Sequence, residues 1–363
     1  MTYTDSNTSS EQLSPVSSPP TTPGHGSANG DAPYLDLDGG LYQPPMSSGV
    51  GGNFILVIGG LGFIGSHTTL ELLKAGYNVV IVDNLSNSFE TVFSRIQGLA
   101  SKHYHGTGRS VPALCFHKLD YRSKAMKHLL EMYSVAVFKP AASAEEGPRL
   151  VRQSRISGVI HFAAFKSVSE SIAKPIQYYQ NNVCGLVDFV ELLGKHNIRN
   201  FVFSSSATVY GTKADLGRPL REEDVVHHPE SYVNDDGDVT VAEPLVSGLQ
   251  SPYARTKYFC EAILADIAQS DPDWRIVLTG ARKELDVFGT DWDTRDGTPV
   301  RDFIHVSDVA RGHVAAIAAK AGQPRRASRS AQGTCGTLSP DPTSRLSDFP
   351  WPVHLMLRVV PGT

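Results

Sequence analysis

The stretch from Phe54 to Asp83 constrains the fold more than any other part of this chain. It begins with a five-residue apolar run, Phe54–Ile58, which is typical of a strand buried on both faces of a parallel sheet. A glycine turn, an amphipathic helical pattern and a second apolar run follow, and Asp83 ends that second run. This order of strand, glycine turn, helix, strand and acid predicts a βαβ unit that binds a dinucleotide.

The three glycines of this unit, Gly59, Gly62 and Gly65, have separate physical roles. Gly59 allows the tight turn, Gly62 lets the backbone approach a pyrophosphate, and Gly65 lets the helix pack closely on the strand. The start of the helix supplies unpaired N–H groups and a partial positive charge for the phosphates. Asp83 can accept hydrogen bonds from the adenosine ribose diol, which favours NAD over NADP. A purely structural βαβ turn is the alternative, but it needs neither three glycines nor the acid.

Length, charge and cysteine content narrow the class of protein. The 363 residues can form one large or two moderate domains, and the formal net charge of −4 does not indicate nucleic-acid binding. The four cysteines are widely spaced and form no metal-ligand or redox motif, which predicts free thiols in a reducing compartment. No apolar run could span a membrane, and no Lys or Arg precedes Lys74, which argues against a secretory or mitochondrial leader. We therefore expect a cytoplasmic protein.

Patterning predicts an ordered region after an atypical start. Residues 1–52 are rich in Ser and Pro with almost no aliphatic clustering, which predicts a disordered tail. From 53 to 278, strand and helix patterns alternate, which predicts an α/β, Rossmann-type, doubly wound parallel sheet. We interpret 139–153 as a surface insertion and 212–250 as a long polar loop, and we predict one amphipathic helix over 175–196. The predicted apolar side of that helix carries Val183, Leu186, Val187, Val190 and Leu193.

Two further segments carry residue types that are suited to proton transfer. The first is Ser-Ser-Ser-Ala-Thr-Val-Tyr-Gly, at the end of a predicted strand, where ligands bind in open parallel sheets. The second holds Tyr253 and Lys257, which share a helix face because they are four residues apart. We expect the ammonium to lower the pKa of the Tyr253 phenol, which could then deprotonate an alcohol, while Ser206 bridges the same oxygen. The alternative is an ordinary amphipathic helix that starts with a tyrosine.

Together these motifs identify a family resemblance. The matching stretches are GGLGFIGSHTTLELLKAGYNVVIVDNLSNS, VIHFAAFKSVSESIAKPIQYYQNNV, NFVFSSSATVYG, SPYARTKYFCEAILAD and ELDVFGTDWDTRDGTPVRDFIHVSDVARGH. They resemble the extended short-chain dehydrogenase/reductase family and, within it, the UDP-glucose 4-epimerases, with fungal forms the most similar. The resemblance covers residues 54–320.

The resemblance implies an NAD site assembled from several segments of the chain. Its residues would be Gly59, Gly62, Phe63, Ile64, Gly65, Asp83, Asn84, Asn87, Ser88, Asp120, Tyr121, Phe162, Ala163, Ala164, Phe165, Lys166, Asn181, Tyr253 and Lys257. The catalytic residues would be Tyr253, Lys257 and Ser206. Substrate contacts would come from Lys166, Ser206 and Tyr253, together with Phe288, which resembles a residue stacking on uracil, and Arg301, which resembles a diphosphate contact.

The activity that the resemblance implies is the interconversion of UDP-glucose and UDP-galactose. In the family, a tyrosine phenolate takes the proton of the sugar 4-hydroxyl, hydride passes from C4 to NAD, and hydride then returns to the opposite face. Dehydratases of the superfamily carry an acidic pair just after the Ser/Thr strand end, whereas this chain has Ala207 and Thr208 there, which favours epimerisation. Family members commonly dimerise through helices like 176–196 and 253–268, and the sequence leaves a homodimer open.

The chain also departs from the family pattern. Ile58 replaces a usual Thr and Ala164 replaces a frequent Gly, and we expect both changes to be tolerated. After Val277 the segment that bridges cofactor and UDP-sugar is missing, so 279–320 is predicted to be a partial UDP-sugar-binding region. Residues 321–363 show neither periodicity nor resemblance, which predicts a disordered tail of the kind a frame-shifted splice product would carry. The alternative function is therefore a catalytically inactive NAD-binding protein.

Overall fold

A computed structural model gives the fold of this chain. It describes residues 53–139, 149–215, 220, 224–233, 237–244, 248–280, 304–319 and 356–359. The predicted N-terminal tail and most of the predicted C-terminal tail therefore lie outside the described residues.

The described residues alternate between strands and helices along the chain. The strands are β1 (Phe54–Ile58), β2 (Asn78–Asp83), β3 (Leu114–Lys118), β4 (Ser134–Lys139), β5 (Arg149–Ser154), β6 (Ile156–His161), β7 (Asn200–Ser204), β8 (Glu230–Val233), β9 (Val239–Ala242), β10 (Arg275–Gly280) and β11 (Met356–Val359). The α-helices are α1 (Phe63–Lys74), α2 (Thr91–Tyr104), α3 (Lys124–Met132), α4 (Val168–Ala173), α5 (Pro175–Tyr178), α6 (Gly185–Lys195), α7 (Pro252–Ser270) and α8 (Val306–Ala318). A π-helical turn, Tyr179–Cys184, joins α5 to α6, and a 3-10 segment, Ala207–Asp215, follows β7.

Seven of the strands form one sheet in the order β11-β10-β7-β6-β1-β2-β3. The six strands from β3 to β10 in that order pair in parallel, and β11 adds to β10 in the antiparallel sense. Counted along the chain without the hairpin strands, the six parallel strands follow the order 3-2-1-4-5-6 of a doubly wound dinucleotide-binding sheet. The predicted Rossmann-type fold class is confirmed.

The centre of the sheet is buried on both faces. Every residue of β1 is buried, with β2 on one side and β6 on the other. Helices α1, α2 and α8 cover one face, where Leu72, Ile96 and Ile317 pack into a cluster with Ile81 of β2. This packing holds the strands, and therefore their carboxyl ends, in fixed positions. Within the described ranges, no helix has the length and apolar content to cross a membrane.

The start of α7 is fixed by its own sequence. Ser251 Oγ accepts a hydrogen bond from the backbone N–H of Ala254 at 3.1 Å, and Pro252 occupies the first helical position, where its missing N–H costs nothing. The Lys257 ammonium, one turn further on, donates to the backbone carbonyl of Ser204 at 2.7 Å. The cap and this bond together place the first turns of α7 beside the end of β7.

The structure adds two hairpins to the predicted elements. The predicted surface insertion includes part of the antiparallel pair β4–β5, in which Phe138 lies opposite Leu150 and both side chains are exposed. The predicted polar loop at 212–250 includes the pair β8–β9. Such two-stranded ribbons are held by backbone pairing with little apolar burial, so hydrophobic patterning does not reveal them. Four residues of the predicted C-terminal tail also pair, as β11.

The predicted single helix over 175–196 is interrupted, and its predicted apolar side is partly wrong. Val187 is 42% exposed, whereas Phe189, which was not predicted to face inward, is 1% exposed. Both residues lie in α6, after the π-helical turn. Phe189 is three residues after Leu186 and four before Leu193, so the regular spacing of α6 places it on the buried face and turns Val187 away. Leu186, Val190 and Leu193 are buried as expected.

Candidate functional site

The carboxyl ends of β1 and β6 frame a cavity at the point where the strand order reverses, which is where open parallel sheets bind ligands. The cavity has a volume of about 1000 Å³ with its open mouth included. Nineteen predicted cofactor residues line it, namely Gly59, Gly62, Phe63, Ile64, Gly65, Asp83, Asn84, Asn87, Ser88, Asp120, Tyr121, Phe162, Ala163, Ala164, Phe165, Lys166, Asn181, Tyr253 and Lys257. The fold thus brings distant segments together, and the binding role of each residue stays a prediction.

The glycine turn is compact for steric reasons. Gly59 has a φ of +77°, and a Cβ there would lie 2.9 Å from the backbone nitrogen of Ala163. A Cβ on Gly65 would lie only 2.2 Å from the carbonyl oxygen of Gly59, so the close approach of α1 to the turn requires glycine. Gly62 is different, because the protein atom near its Cβ position, the Gly59 oxygen at 3.4 Å, leaves ordinary room. A side chain at Gly62 would instead occupy cavity space.

The N-terminus of α1 points its unpaired groups at this cavity. Within the described chain, no side chain caps the helix at Gly62, and residues 63, 64 and 65 of its first turn line the cavity. First-turn N–H groups have no partner inside a helix, and the helix dipole adds partial positive charge. The site therefore suits an anion such as a pyrophosphate.

Asp83 at the end of β2 is tied to the glycine turn. Its Oδ2 accepts a hydrogen bond from the Leu61 N–H at 3.0 Å. Its Oδ1 accepts from the Leu85 N–H at 3.0 Å and from the Ser88 hydroxyl at 2.8 Å. A carboxylate has about four acceptor positions, so one position remains for a ligand hydroxyl. The carboxylate thus both braces the turn and lines the cavity.

Asp120 is held in place at a second edge of the cavity. The backbone N–H, Nε and Nη2 of Arg122 donate to its carboxylate at 2.9, 2.9 and 2.6 Å. Burial raises the pKa of Asp120, but these bonds and one from Asn84 outweigh it and hold the pKa below the ordinary value. The carboxylate is therefore a fixed, ionised acceptor.

Tyr253 and Lys257 line the other side of the cavity, and Ser206, which does not line it, lies beside Tyr253. The ammonium of Lys257 donates to the Ser204 carbonyl and lies 4.6 Å from the centre of the Phe203 ring. The side chain of Ser206 lies near the phenol of Tyr253 and acts to lower its pKa. Both residues are nearly buried, at 8% and 9% exposure. The predicted catalytic residues therefore form one group in the described structure.

The electrostatics of this group differ from the sequence-based expectation. Burial raises the pKa of Tyr253, and the nearby side chain of Ser206 partly opposes that rise. Burial lowers the pKa of Lys257 to about 8, against smaller opposite effects of Cys260 and Glu261. The prediction that Lys257 lowers the pKa of Tyr253 is wrong for this structure, because the ammonium is engaged with Ser204 and Phe203. Sequence spacing gives the shared helix face but not this engagement.

Asn182 is a buried site residue that the sequence analysis did not identify. Its Oδ1 accepts from the Phe165 N–H at 2.8 Å, and its Nδ2 donates to the Phe165 carbonyl at 2.9 Å. The same Nδ2 donates to the Thr256 hydroxyl at 3.1 Å, which connects the cavity wall to α7. The signal that could have found it is the adjacent pair Asn181-Asn182 inside a helical pattern, since buried Asn side chains there need partners.

Other cavity residues were also missed, and two predicted ones cannot be placed. The unpredicted lining residues are Ile58, Val82, Ser86, Leu119, Ser204 and Ser205. Several of them belong to strand ends, whose exposure to a cavity depends on the sheet topology. The predicted substrate residues Phe288 and Arg301 lie outside the described residues.

Comparison with protein families and known sequences adds independent findings. The chain matches the family described as "NAD dependent epimerase/dehydratase family" over residues 55–279 and 274–327. It is 36% identical over 298 residues to the human UDP-glucose 4-epimerase, with 72% of each chain covered. It is 35% identical to UDP-glucose 4-epimerase 2 of Arabidopsis thaliana, covering 72% of this chain and 71% of that one. It also covers 35% of the bifunctional protein gal10 of Schizosaccharomyces pombe, at 36% identity.

Solved structures give a consistent result. The chain is similar to the UDP-glucose 4-epimerase of Bifidobacterium longum in complex with NAD⁺ and UDP, with a TM-score of 0.51, 34% identity and 73% of each chain covered. It is also similar to the enzyme of Stenotrophomonas maltophila with bound NAD and formylated UDP-arabinopyranose, with a TM-score of 0.52, 30% identity and 73% coverage of each chain.

Proposed function

This chain belongs to the NAD dependent epimerase/dehydratase family, and from this premise we propose that it interconverts UDP-glucose and UDP-galactose. Relatives that carry this activity in their names are 35–36% identical to it over more than two thirds of both chains. The observation that carries the proposal is the meeting of Ser206, Tyr253 and Lys257 beside a cavity lined by a glycine turn.

The predicted cofactor, NAD, is confirmed by the family, and the described residues fit it. Its pyrophosphate could lie against Gly62, where a side chain would occupy the same space. The first-turn N–H groups of α1 could donate hydrogen bonds to it. Asp83 keeps an acceptor position for a ribose hydroxyl, and its negative charge disfavours a ribose phosphate. Asp120, fixed by Arg122 and next to Asn84, would offer a further hydrogen-bond acceptor to the cofactor.

The chemistry requires a base for the sugar 4-hydroxyl. When bound, NAD supplies the acceptor and the donor of hydride for C4, so the reaction involves no net redox change. Tyr253 is the base in our proposal, because its phenol is held at the cavity and the side chain of Ser206 acts to lower its pKa, which favours the phenolate. Tyr253 is 9% exposed and lines the cavity, so its phenol is accessible to a bound sugar while most of its side chain is shielded from solvent.

Lys257 and Ser206 assist Tyr253 in different ways in this proposal. With a pKa of about 8, Lys257 remains largely protonated near neutral pH and contributes a positive charge to the wall of the cavity. Ser206 acts to lower the pKa of the phenol. At the positions where dehydratases carry acids, the chain has Ala207 and Thr208, which lack an acid for the elimination of water.

A turnover assay with the full chain tests the proposal. We expect the purified, NAD-loaded protein to convert UDP-galactose to UDP-glucose, and we expect Tyr253→Phe to lower the rate by about a thousandfold or more. The conservative variant Tyr258→Phe, one turn further along α7 and packed against His227, is the matched control and should retain the rate. Turnover that survives Tyr253→Phe would contradict the assignment.

A second candidate function is a catalytically inactive NAD-binding protein. The observation that favours it is the sequence after Val277, which lacks the family segment between cofactor and UDP-sugar. Losing hydrogen bonds to charged groups, at about 1.5–3 kcal/mol each, would weaken binding of the UDP-sugar severely. The same assay separates the two candidates, because this second one predicts bound NAD without turnover in the unmodified chain.

We further propose that the protein is a cytoplasmic homodimer. Val187 on α6 and Phe259 on α7 are each 42% exposed, and Ile176 on α5 is 69% exposed, which makes these helices suitable for burial against a second copy. The free cysteines of the described residues fit a reducing compartment. Sedimentation of Phe259→Lys should give a monomer if this face forms the dimer. A dimer that persists in Phe259→Lys would place the interface elsewhere. A fluorescent fusion of the protein found outside the cytoplasm would contradict the proposed location.

A further inference from the structure

Ser206 has both of its acceptor positions occupied by one neighbour. Its Oγ accepts a hydrogen bond from the Thr208 hydroxyl at 3.0 Å and another from the Thr208 backbone N–H at 3.3 Å. A serine hydroxyl has two acceptor lone pairs and a single O–H donor. Thr208 therefore leaves Ser206 with its proton as the group available for a further bond.

That remaining donor has a defined acceptor. The nearby phenol of Tyr253, whose pKa the side chain of Ser206 acts to lower, is the acceptor we assign to it, and both side chains are more than nine-tenths buried. Since Thr208 fills both acceptor positions of Ser206, a bond between Ser206 and the phenol would run from Thr208 to Ser206 to Tyr253. Donation to the phenolic oxygen favours its ionised form, and successive hydrogen bonds in a nearly dry site strengthen one another.

We propose that Thr208 is a positioning residue that fixes Ser206 as the hydrogen-bond donor to Tyr253. The assignment rests on the proposed function, in which Tyr253 is the base, and it deepens that function by adding the residue that orients its partner. Thr208 itself is exposed and does not contact Tyr253 through any bond found among the described residues, so it acts through Ser206.

A purely local role for Thr208 is the competing explanation. Its backbone N–H bond to Ser206, together with the Val209 N–H bond to the Ser206 carbonyl at 3.2 Å, would shape the start of the 3-10 segment in any case. Those bonds use the backbone N–H groups and do not need the Thr208 hydroxyl. Thr208→Val therefore separates the two roles, because it keeps the branched shape and the N–H but removes the hydroxyl donor. Thr208→Ser restores the hydroxyl on a smaller side chain.

The test measures the ionisation of Tyr253 directly. Ultraviolet titration of the full-length, NAD-loaded protein is recorded for each variant, and the titration of the same variant carrying Tyr253→Phe is subtracted. We expect Thr208→Val to raise the apparent pKa of Tyr253 by about 0.5, which is about a threefold loss in the ratio of phenolate to phenol. Ser206→Ala, which removes the donor itself, should raise it by about 1 or more. Thr208→Ser should titrate like the unmodified protein.

A double-variant cycle completes the test. In the Ser206→Ala background, Thr208→Val should cause no further shift, because its effect passes through Ser206. An unshifted titration of Thr208→Val, or a shift that persists without Ser206, would overturn the assignment. Turnover of UDP-galactose is measured in parallel and judges the proposed function separately. A shift in the titration without turnover would count against that function and leave the role of Thr208 standing.

Discussion

The two sides of the cavity are built from different parts of the polypeptide. The β1–α1–β2 side uses backbone groups and the absence of side chains, with Gly59 and Gly65 in places where a Cβ would meet backbone atoms. The β7–α7 side uses buried polar side chains, Ser206, Tyr253 and Lys257, and burial raises the pKa of Tyr253 and lowers that of Lys257. The comparison indicates that the first side is rigid because of shape, whereas the second is tuned by burial and hydrogen bonds. Substitutions on the first side should therefore lower both stability and NAD affinity, whereas substitutions on the second side should mainly change ionisation and NAD affinity.

The largest effect is expected on the backbone-built side. Gly65→Ala would place a Cβ 2.2 Å from the Gly59 oxygen and 2.9 Å from the Gly60 Cα, and neither backbone atom can move freely. We expect a loss of about 3 kcal/mol in the free energy of unfolding and at least about a hundredfold loss of NAD affinity. Urea denaturation and NAD titration would measure the two effects.

Gly98→Ala is the matched control for this prediction. Gly98 lies inside α2, and a Cβ there would meet no atom within 4 Å. We expect it to stabilise the protein by about 0.5–1 kcal/mol, because alanine loses less backbone entropy in a helix, and to leave NAD affinity unchanged. If Gly65→Ala and Gly98→Ala had the same stability and NAD affinity, the close approach of α1 to the glycine turn would not require glycine at position 65.

The next largest effect is the loss of folding stability at acid pH that His161 causes, close to the β7–α7 side of the cavity. Burial, and then the nearby Lys257, lower the pKa of His161 to about 3 from 6.5, and its ring lies 5.0 Å from the Tyr121 ring. Between these values the unfolded state binds more protons, so stability falls as the pH drops below 6.5, by about 1.4 kcal/mol per pH unit. We expect His161→Phe to recover about 2 kcal/mol at about pH 5 relative to neutral pH.

Denaturation curves at the two pH values would check this expectation. His103→Gln, a substitution of an exposed histidine on α2, serves as the control and should follow the unmodified protein. An unchanged acid profile in His161→Phe would mean that His161 does not remain neutral in the folded protein.

The smallest effect on stability is expected for Lys257→Met. The variant loses the bond to Ser204 and the contact with Phe203 but also removes a buried charge, so the free energy of unfolding near neutral pH should change by less than about 1 kcal/mol. NAD affinity should still fall by about tenfold or more, because a charge is lost from the cavity wall. Lys257→Met would therefore lower NAD affinity with little change in the free energy of unfolding, whereas Gly65→Ala would lower both.

The pH dependence of Lys257→Met provides a second measurement. The pKa of Lys257 is about 8 in the folded protein, below the ordinary 10.5, so the unfolded state binds more protons between these values. Its contribution to stability therefore rises with pH in that window, by about 1.4 kcal/mol per pH unit, and Lys257→Met should lack this rise. Lys102→Met, on the exposed surface of α2, is the control. A rise that persists in Lys257→Met would contradict the lowered pKa.

The accuracy of the sequence predictions follows the same division. The glycine turn, the strand Asn200–Ser204 and the spacing of Tyr253 and Lys257 are local patterns, and the structure contains them where the sequence indicates. The π-helical turn that interrupts the predicted helix leaves no signal in the periodicity, whereas the inward position of Phe189, three residues after Leu186, follows from regular helix spacing and was missed. The two hydrogen bonds between the Asn182 side chain and the Phe165 backbone join residues 17 positions apart, and no local sequence pattern requires that pairing.

The sequence by itself determined the fold class, the cofactor and the identity of the catalytic candidates, because glycine spacing, strand–helix alternation and four-residue helical spacing are local properties of the chain. Only the tertiary structure decided which groups those residues face. It directs the Lys257 ammonium to Ser204 and Phe203, and it leaves Ser206 as the side chain that acts to lower the pKa of the Tyr253 phenol. The physical reason is that burial and hydrogen-bond partners depend on contacts between segments far apart in the chain, and these contacts set the ionisation of each group.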